Sequence, residues 1–329
     1  MRKIPLGAIE DARRAIYDVV VRTPLVRLDL PGDVAARLDG SRIFLKLETL
    51  QPIGSFKIRG AHNAVRQLDA AARRDGVWTV SAGNAAQGVA LAAQVAGSPC
   101  SVMVMDTAPA TKVAAIERLG AQIVHATYDE CWDTVIAHRS DRMTGRFVHP
   151  FDDDAFIAGN GTIGLEIVEE LPEVDAVVAA IGGGGLLSGV ASALRALRPG
   201  VQIYAAEPET AAPLHASLAS GRPEYFNGWQ PSFVDGAGGK SVIPTMWPLL
   251  SSLVDGSVVV PLHEVAAAMR LVAERVHVIA EGAAACAVAA ALSGRVRGNI
   301  VAIVSGGNID LPRFASLVGA CEERVATTA

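Results

Sequence analysis

Gln51-Pro-Ile-Gly-Ser-Phe-Lys-Ile-Arg-Gly60 is the stretch on which the reading of this chain turns. Pro52 and Gly54 stop the strand expected over Ile43 to Leu47. Ile58, Ala61, Ala64, Val65 and Leu68 then recur at helical spacing, so Lys57 opens a helix. The first turn of a helix is its positive end, and Arg59 follows two residues later, which makes this a poor place for a lysine kept only for solubility. Burial and neighbouring positive charge both lower an amine's pKa, and a free amine is a nucleophile toward an aldehyde. A lysine on a solvated helix face is the plain alternative, and the rest of the chain has to decide between them.

Outward from this stretch, strands and helices alternate. Strands are expected at 42–47, 77–80, 101–105, 122–126, 176–181, 202–206, 256–260 and 300–304, and helices at 8–21, 86–96, 110–119, 129–142, 161–171, 186–197, 262–276, 283–292 and 311–323. This alternation specifies α/β architecture with parallel sheets covered on both faces. Residues 217–246 break the rhythm with Gly, Pro, Asn and Ser, and read as a long loop that could serve as a lid or channel wall.

Ligands of open parallel sheets bind beyond the carboxyl ends of the strands. Three such ends here are rich in small residues: Ser81-Ala-Gly-Asn-Ala-Ala-Gln-Gly88, Gly182-Gly-Gly-Gly-Leu-Leu-Ser-Gly189 and Ser305-Gly-Gly-Asn308. Backbone N–H groups of Gly182, Gly183, Gly184 and Gly185, ahead of a helix N-terminus, form a cradle for a phosphate. A dinucleotide fits such a cradle too. Gly183, Gly185 and Ser188 nearly meet G-x-G-x-x-G, and Glu207 ends the next strand where a ribose-binding acid would sit. That reading lacks the third glycine and leaves Lys57 and the other two loops without a role.

Composition narrows the classes further. The 329 residues suggest about two domains, and half of them are apolar. Lys+Arg 29 against Asp+Glu 34 gives a formal net charge of -5 without long runs of either sign, which offers no footprint for nucleic acid or a membrane surface. Cys100, Cys131, Cys286 and Cys321 are widely spaced and read as reduced thiols of a cytoplasmic protein. Met1-Arg-Lys-Ile-Pro5 has no apolar run behind it and is not read as a signal peptide. The uncharged run 176–194 is split by its glycines into a strand and a helix rather than a membrane span. The seven histidines form no metal-ligand spacing, and no metal site is expected.

Ser55-Phe-Lys-Ile-Arg-Gly60, the 81–88 loop, Gly182 to Gly185 and Ser305-Gly-Gly-Asn308, in this order, resemble the fold-type II pyridoxal-phosphate enzymes, in particular the threonine/serine dehydratase and serine racemase group. The likeness extends from Thr23-Pro24-Leu25 and takes in Val148-His-Pro-Phe-Asp152, Ala205-Ala-Glu-Pro208 and Val234-Asp-Gly236. It implies two open, twisted, mostly parallel sheets flanked by helices. A large domain would comprise 1–75 and 152–329, a small inserted domain 76–151, with pyridoxal phosphate in the cleft between them. It further implies that Lys57 carries the cofactor covalently, that Phe56 flanks its ring, that Asn84 bonds its 3'-oxygen, that Gly182 to Gly185 hold its phosphate and that Ser305 meets its ring nitrogen. Ser81, Ala82, Gly83, Asn84 and Ala85 would receive an amino-acid substrate, and the enzyme would be a homodimer. The implied activity is ammonia release from a β-hydroxy amino acid, by default L-threonine or L-serine. A racemase or a β-replacement synthase would use the same cofactor. Control by isoleucine is not expected, since nothing resembling the regulatory domain of biosynthetic threonine dehydratases follows.

Three positions depart from the group's pattern. Ala85 stands where histidine is usual, Pro213 where a second cation-binding acid occurs in racemase-like members, and Gly282 where proline usually follows the acid at Glu281. Ala82 also occupies the position of the racemases' serine acid.

Overall fold

The computed structural model describes residues 2–326, with side-chain environments through residue 320, so Cys321 lies outside the described side chains. Its ten strands are β1 (Leu25–Arg27), β2 (Arg42–Leu47), β3 (Val77–Val80), β4 (Cys100–Met105), β5 (Gln122–Ala126), β6 (Arg146–Phe147), β7 (Ala176–Ala180), β8 (Gln202–Pro208), β9 (Gly256–Val260) and β10 (Asn299–Val304). They form a six-stranded sheet in the order β1-β2-β10-β7-β8-β9 and a four-stranded sheet in the order β5-β4-β3-β6. Among the described residues only the β1–β2 pair of strands is antiparallel, and the other strand pairs are parallel. β7 and β10 are buried at every position, as expected of central strands covered by helices on both faces.

Most expected elements appear within a few residues of their predicted bounds, and the misses have local causes. The helix expected at 161–171 spans Asp154–Glu170, because the Asp153 side chain caps it by accepting from the Phe156 N–H. Its glycines are not breakers: a Cβ on Gly159 would lie 2.4 Å from the Arg59 carbonyl oxygen, so that residue permits close approach of the lysine helix. The first helix ends at Ile16 rather than residue 21. The 217–246 region contains the end of helix Pro213–Ser220 and one short turn, Asp235–Ala237, while helix Trp247–Leu253 follows it. The strands β1 and β6, three and two residues long, carry too little periodicity to be read from sequence.

Helix Lys57–Arg66 packs between helix Asn84–Ala96, beside the four-stranded sheet, and helix Asp154–Glu170. Its inward face carries a charge. Arg59 is fully buried and donates through Nε to Glu48 (2.8 Å), through Nη1 to Glu166 (2.6 Å) and to Thr162 Oγ1 (3.0 Å). Lys46 on β2, also fully buried, pairs with Glu166 (2.8 Å) and Glu170 (2.9 Å) and donates to the Thr23 carbonyl (2.6 Å). The Thr23 hydroxyl and the Gln51 amide donate to Glu48, and the Tyr17 hydroxyl donates to Glu166. Arg59 therefore serves this network and is not the positive neighbour expected to lower the Lys57 pKa.

Removing one partner of such a network strands an uncompensated buried charge. Arg59→Met is expected to lower unfolding free energy by about 3–5 kcal/mol, measured by the urea midpoint at constant m-value. Arg59→Lys should recover only part of this, because an ammonium cannot reproduce the forked contact with two carboxylates.

Candidate active site

β2 and β10 are parallel neighbours, with Leu47 opposite Val304, so the chain segments leaving them emerge side by side. The lysine turn is stitched to the Ser305 loop: the Phe56 N–H donates to the Ser305 carbonyl (3.0 Å), and the Gly307 N–H donates to the Gly54 carbonyl (2.9 Å). Lys57 is the first residue of its helix, and its Nζ donates to the Pro150 carbonyl at 2.6 Å. The amine lies 5.3 Å from the Phe56 ring centre and 5.4 Å from that of Phe156. Desolvation lowers its pKa to about 8, opposed by the negative charge of Glu281. The expectation of a depressed amine thus holds, with burial as its cause and Arg59 playing no part.

Asn84 opens helix Asn84–Ala96, whose N-terminus has no side-chain cap. Its Nδ2 donates to Glu281 Oε1 (2.9 Å), and its Oδ1 accepts from Asn308 Nδ2 (2.7 Å). Burial, assisted by Asp235, raises the Glu281 carboxyl to about 7, while hydrogen bonds from Asn84 and the Asn308 N–H and the charge of Lys112 restrain it. Ser305 is buried. Ser81 Oγ accepts from the Gly83 N–H (3.1 Å), Ala82 keeps partial exposure, and Ala85 is buried.

The tetraglycine loop is bare at close quarters. A Cβ on Gly183 would fall 2.2 Å from the Phe151 ring, and one on Gly185 2.7 Å from the Phe151 carbonyl oxygen. Helix Gly185–Leu197 begins there without a side-chain cap, leaving its N-terminal N–H groups and positive dipole end for an anion. A desolvated amine, an amide donor and a backbone anion cradle together suit an aldehyde-bearing phosphate, which is the donor set pyridoxal phosphate requires.

Other expected or missed residues fall into place. Glu207 is fully buried and caps helix Pro213–Ser220: Oε1 accepts from the Leu214 N–H (2.8 Å), and Oε2 from the His215 N–H (2.8 Å) and the Ser257 hydroxyl. The carboxylate thus serves the helix rather than a ribose, and Pro213, lacking an N–H, suits the first helical position. A Cβ on Gly282 would sit 2.4 Å from the Phe233 carbonyl oxygen, so no proline fits there. Glu281, Asn308 and Pro150 join the site without a role expected from the sequence. Glu281 had a signal, an acid in an apolar stretch before a small-residue helix, whereas Pro150 acts through a carbonyl that any residue possesses. His138, His149 and Asp152 bring three ligand-type atoms within 4.8 Å of one another. There Asp152 already pairs with Arg2 and accepts from Thr245, and His149 Nδ1 accepts from the Phe151 and Asp152 N–H groups. Cys100, Cys131 and Cys286 are buried free thiols, and burial raises the Cys100 pKa to about 12. Among the described residues no helix is long and apolar enough to cross a membrane.

Residues 16–306 match the family model described as pyridoxal-phosphate dependent enzyme. The chain belongs to this family. Its relatives include L-threonine ammonia-lyase of Thermotoga maritima, 43% identical over 313 residues, covering 94% of this chain and 76% of that protein. Serine racemase of Homo sapiens is 38% identical over 318 residues, covering 94% and 92%. The solved structure of maize serine racemase superposes with a TM-score of 0.86 at 33% identity, covering 98% of this chain and all of that one. The cofactor of this pyridoxal-phosphate enzyme is thereby established, and the dinucleotide reading is overturned.

The depressed amine gives a direct test. Apoprotein should capture pyridoxal phosphate at a rate that climbs about tenfold per pH unit below the amine's pKa and levels off near pH 8. An unperturbed lysine would continue to gain until about pH 10.4. Stopped-flow absorbance across this range distinguishes the two profiles.

Proposed function

We propose that this enzyme is an ammonia-lyase that converts a β-hydroxy amino acid, with L-threonine or L-serine as the default substrate, to a 2-oxo acid and ammonia. The carrying observation is the desolvated Lys57 amine, held on the Pro150 carbonyl. The names of relatives at 34–43% identity, L-threonine ammonia-lyase and L-threonine dehydratase, support the same reading.

Pyridoxal phosphate, when bound, supplies the electron sink that acidifies the substrate Cα–H and allows a β-hydroxyl to leave. The backbone of Gly182 to Gly185 would hold its phosphate, Asn84 its 3'-oxygen and the Ser305 hydroxyl its ring nitrogen, with Phe56 alongside the ring. Ser305 offers a neutral hydroxyl, unlike a carboxylate, and so would leave that nitrogen largely unprotonated. Lys57 Nζ takes the Cα proton, a task matched to an amine whose pKa is near 8. Pro150 orients Nζ by accepting its hydrogen. The uncapped N-terminus of helix Asn84–Ala96, with Ser81, Ala82, Gly83 and Ala85, would receive the substrate carboxylate. In this reading the four-stranded sheet belongs to a small domain over 76–151, residues 1–75 and 152–329 form the large one, and the enzyme works in the cytoplasm as a homodimer.

Lys57→Ala should retain the fold, lose the lysine-linked chromophore and lose essentially all turnover. Borohydride reduction of the wild type followed by mass spectrometry should place the cofactor on Lys57; a label on Lys46 or Lys240 would overturn the assignment.

Elimination should outrun racemisation, because the Ala82 methyl cannot deliver a proton to the face opposite Lys57. Ala82→Ser incubated with L-serine should gain D-serine, measured by chiral chromatography beside pyruvate. Wild type should form little.

A further inference from the structure

Two amides that follow strands and a carboxyl at a helix start form a hydrogen-bonded chain with a definite direction. Its anchor is a backbone carbonyl. Ile53 O can only accept, so the Asn308 atom 2.7 Å from it must be the amide nitrogen. That nitrogen also lies 2.7 Å from Asn84, so Asn84 must turn its oxygen toward Asn308. The Asn84 nitrogen is then left to face Glu281 Oε1 at 2.9 Å. Amide orientation, otherwise an open choice, is settled here by the carbonyl at the far end. The chain is built in. A Cβ on Gly306 would lie 2.6 Å from Glu281 Oε1, so this glycine admits the carboxyl, and the Glu281 N–H in turn donates to the Gly306 carbonyl (3.0 Å).

The consequence concerns what Asn84 can offer a bound group. Its oxygen is engaged by Asn308, and one of its two N–H hydrogens by Glu281, so it presents the remaining N–H. We infer that Asn308 and Glu281 are positioning residues that lock Asn84 as a one-way donor, so that the site selects the cofactor's 3'-oxygen in its ionised, acceptor-only form. This rests on the proposed pairing of Asn84 with that oxygen. The charged groups around Glu281 are Asp235 from the short turn, Lys112 from helix Ala110–Glu117, and Lys57. Whether Glu281 is ionised or protonated, one of its oxygens still accepts from Asn84. The direction of the chain is therefore set by Ile53 and Asn308 rather than by the Glu281 charge.

The decisive variant is Asn308→Asp, nearly isosteric but without a donor. The introduced carboxylate, once ionised, would be repelled by the Ile53 carbonyl and by Asn84 Oδ1, and Asn84 would turn its nitrogen toward it. The readout is the pH midpoint at which the lysine-linked chromophore of the holoenzyme changes absorbance band. Loss of one hydrogen bond to a charged oxygen should raise that midpoint by about one to two units. Asn308→Ala, which removes the donor without adding charge, should move it in the same direction and carries the test where the aspartate variant does not fold. Glu281→Gln keeps an acceptor oxygen and should shift it less than half as far. A midpoint in both Asn308 variants within about 0.3 unit of wild type, well below the shift expected for one lost bond, would overturn the inference, as would a Glu281→Gln shift equal to theirs. Absence of a Lys57-dependent chromophore in the wild type would instead overturn the site reading on which the inference rests.

Discussion

Parallel pairing of β2 with β10 is the constraint on which the site depends. These strands are far apart in sequence, yet their register places Leu47 opposite Val304. Whatever follows each strand must therefore share one space. The lysine turn and the Ser305 loop use it to hydrogen-bond to each other through Phe56, Gly54 and Asn308. Neither loop could satisfy these backbone groups alone, and a buried unpaired N–H or carbonyl is costly. Lys57 is held by the sheet's topology more than by its own helix.

The helix it begins has two opposite electrostatic tasks two residues apart. Arg59 is buried among carboxylates and keeps its full charge, with a pKa raised well above its ordinary value by Glu48 and Glu166 against the cost of desolvation. Lys57 is desolvated and donates to a carbonyl at 2.6 Å, with no carboxylate paired to it among the described residues, and its pKa falls. Partner geometry separates the two. A carboxylate in contact repays desolvation of a cation, whereas a neutral carbonyl offsets only part of it. A fully charged guanidinium and an amine with a depressed pKa thus occupy one turn.

The long aperiodic segment after Ser220 links the two sheets' surroundings. Lys112, in the helix after β4, donates to Asp235 at 2.5 Å, and Lys240 lies 4.6 Å from the Tyr128 ring centre and 4.5 Å from that of Trp229. Asp235 and Lys112 also act on Glu281 from opposite electrostatic directions. Through Asp235 this segment acts on Glu281 as well as connecting elements. The likeness to threonine ammonia-lyases and serine racemases is consistent with the architecture, while Gly282 and Pro213 show how this chain departs from the group's pattern where a neighbouring backbone or a helix start demands it.

The α/β class, the central strands and the glycine-rich loops at the strand ends were legible in the sequence, because apolar periodicity and glycine runs are local signals. Lys57 and the four glycines stand out for the same reason, each at a strand end or helix start visible in a short window, whereas Asn84 and Ser305 are singled out within their loops only by the family resemblance. Only the tertiary structure decided their partners. That Arg59 turns inward to Glu48 and Glu166, that Glu207 caps a helix, that Pro150 receives the lysine and that Asn308 directs Asn84 are contacts across up to 224 positions. A residue's type states which bonds it can make. The strand order states which of them it does make, and with that the charge it carries.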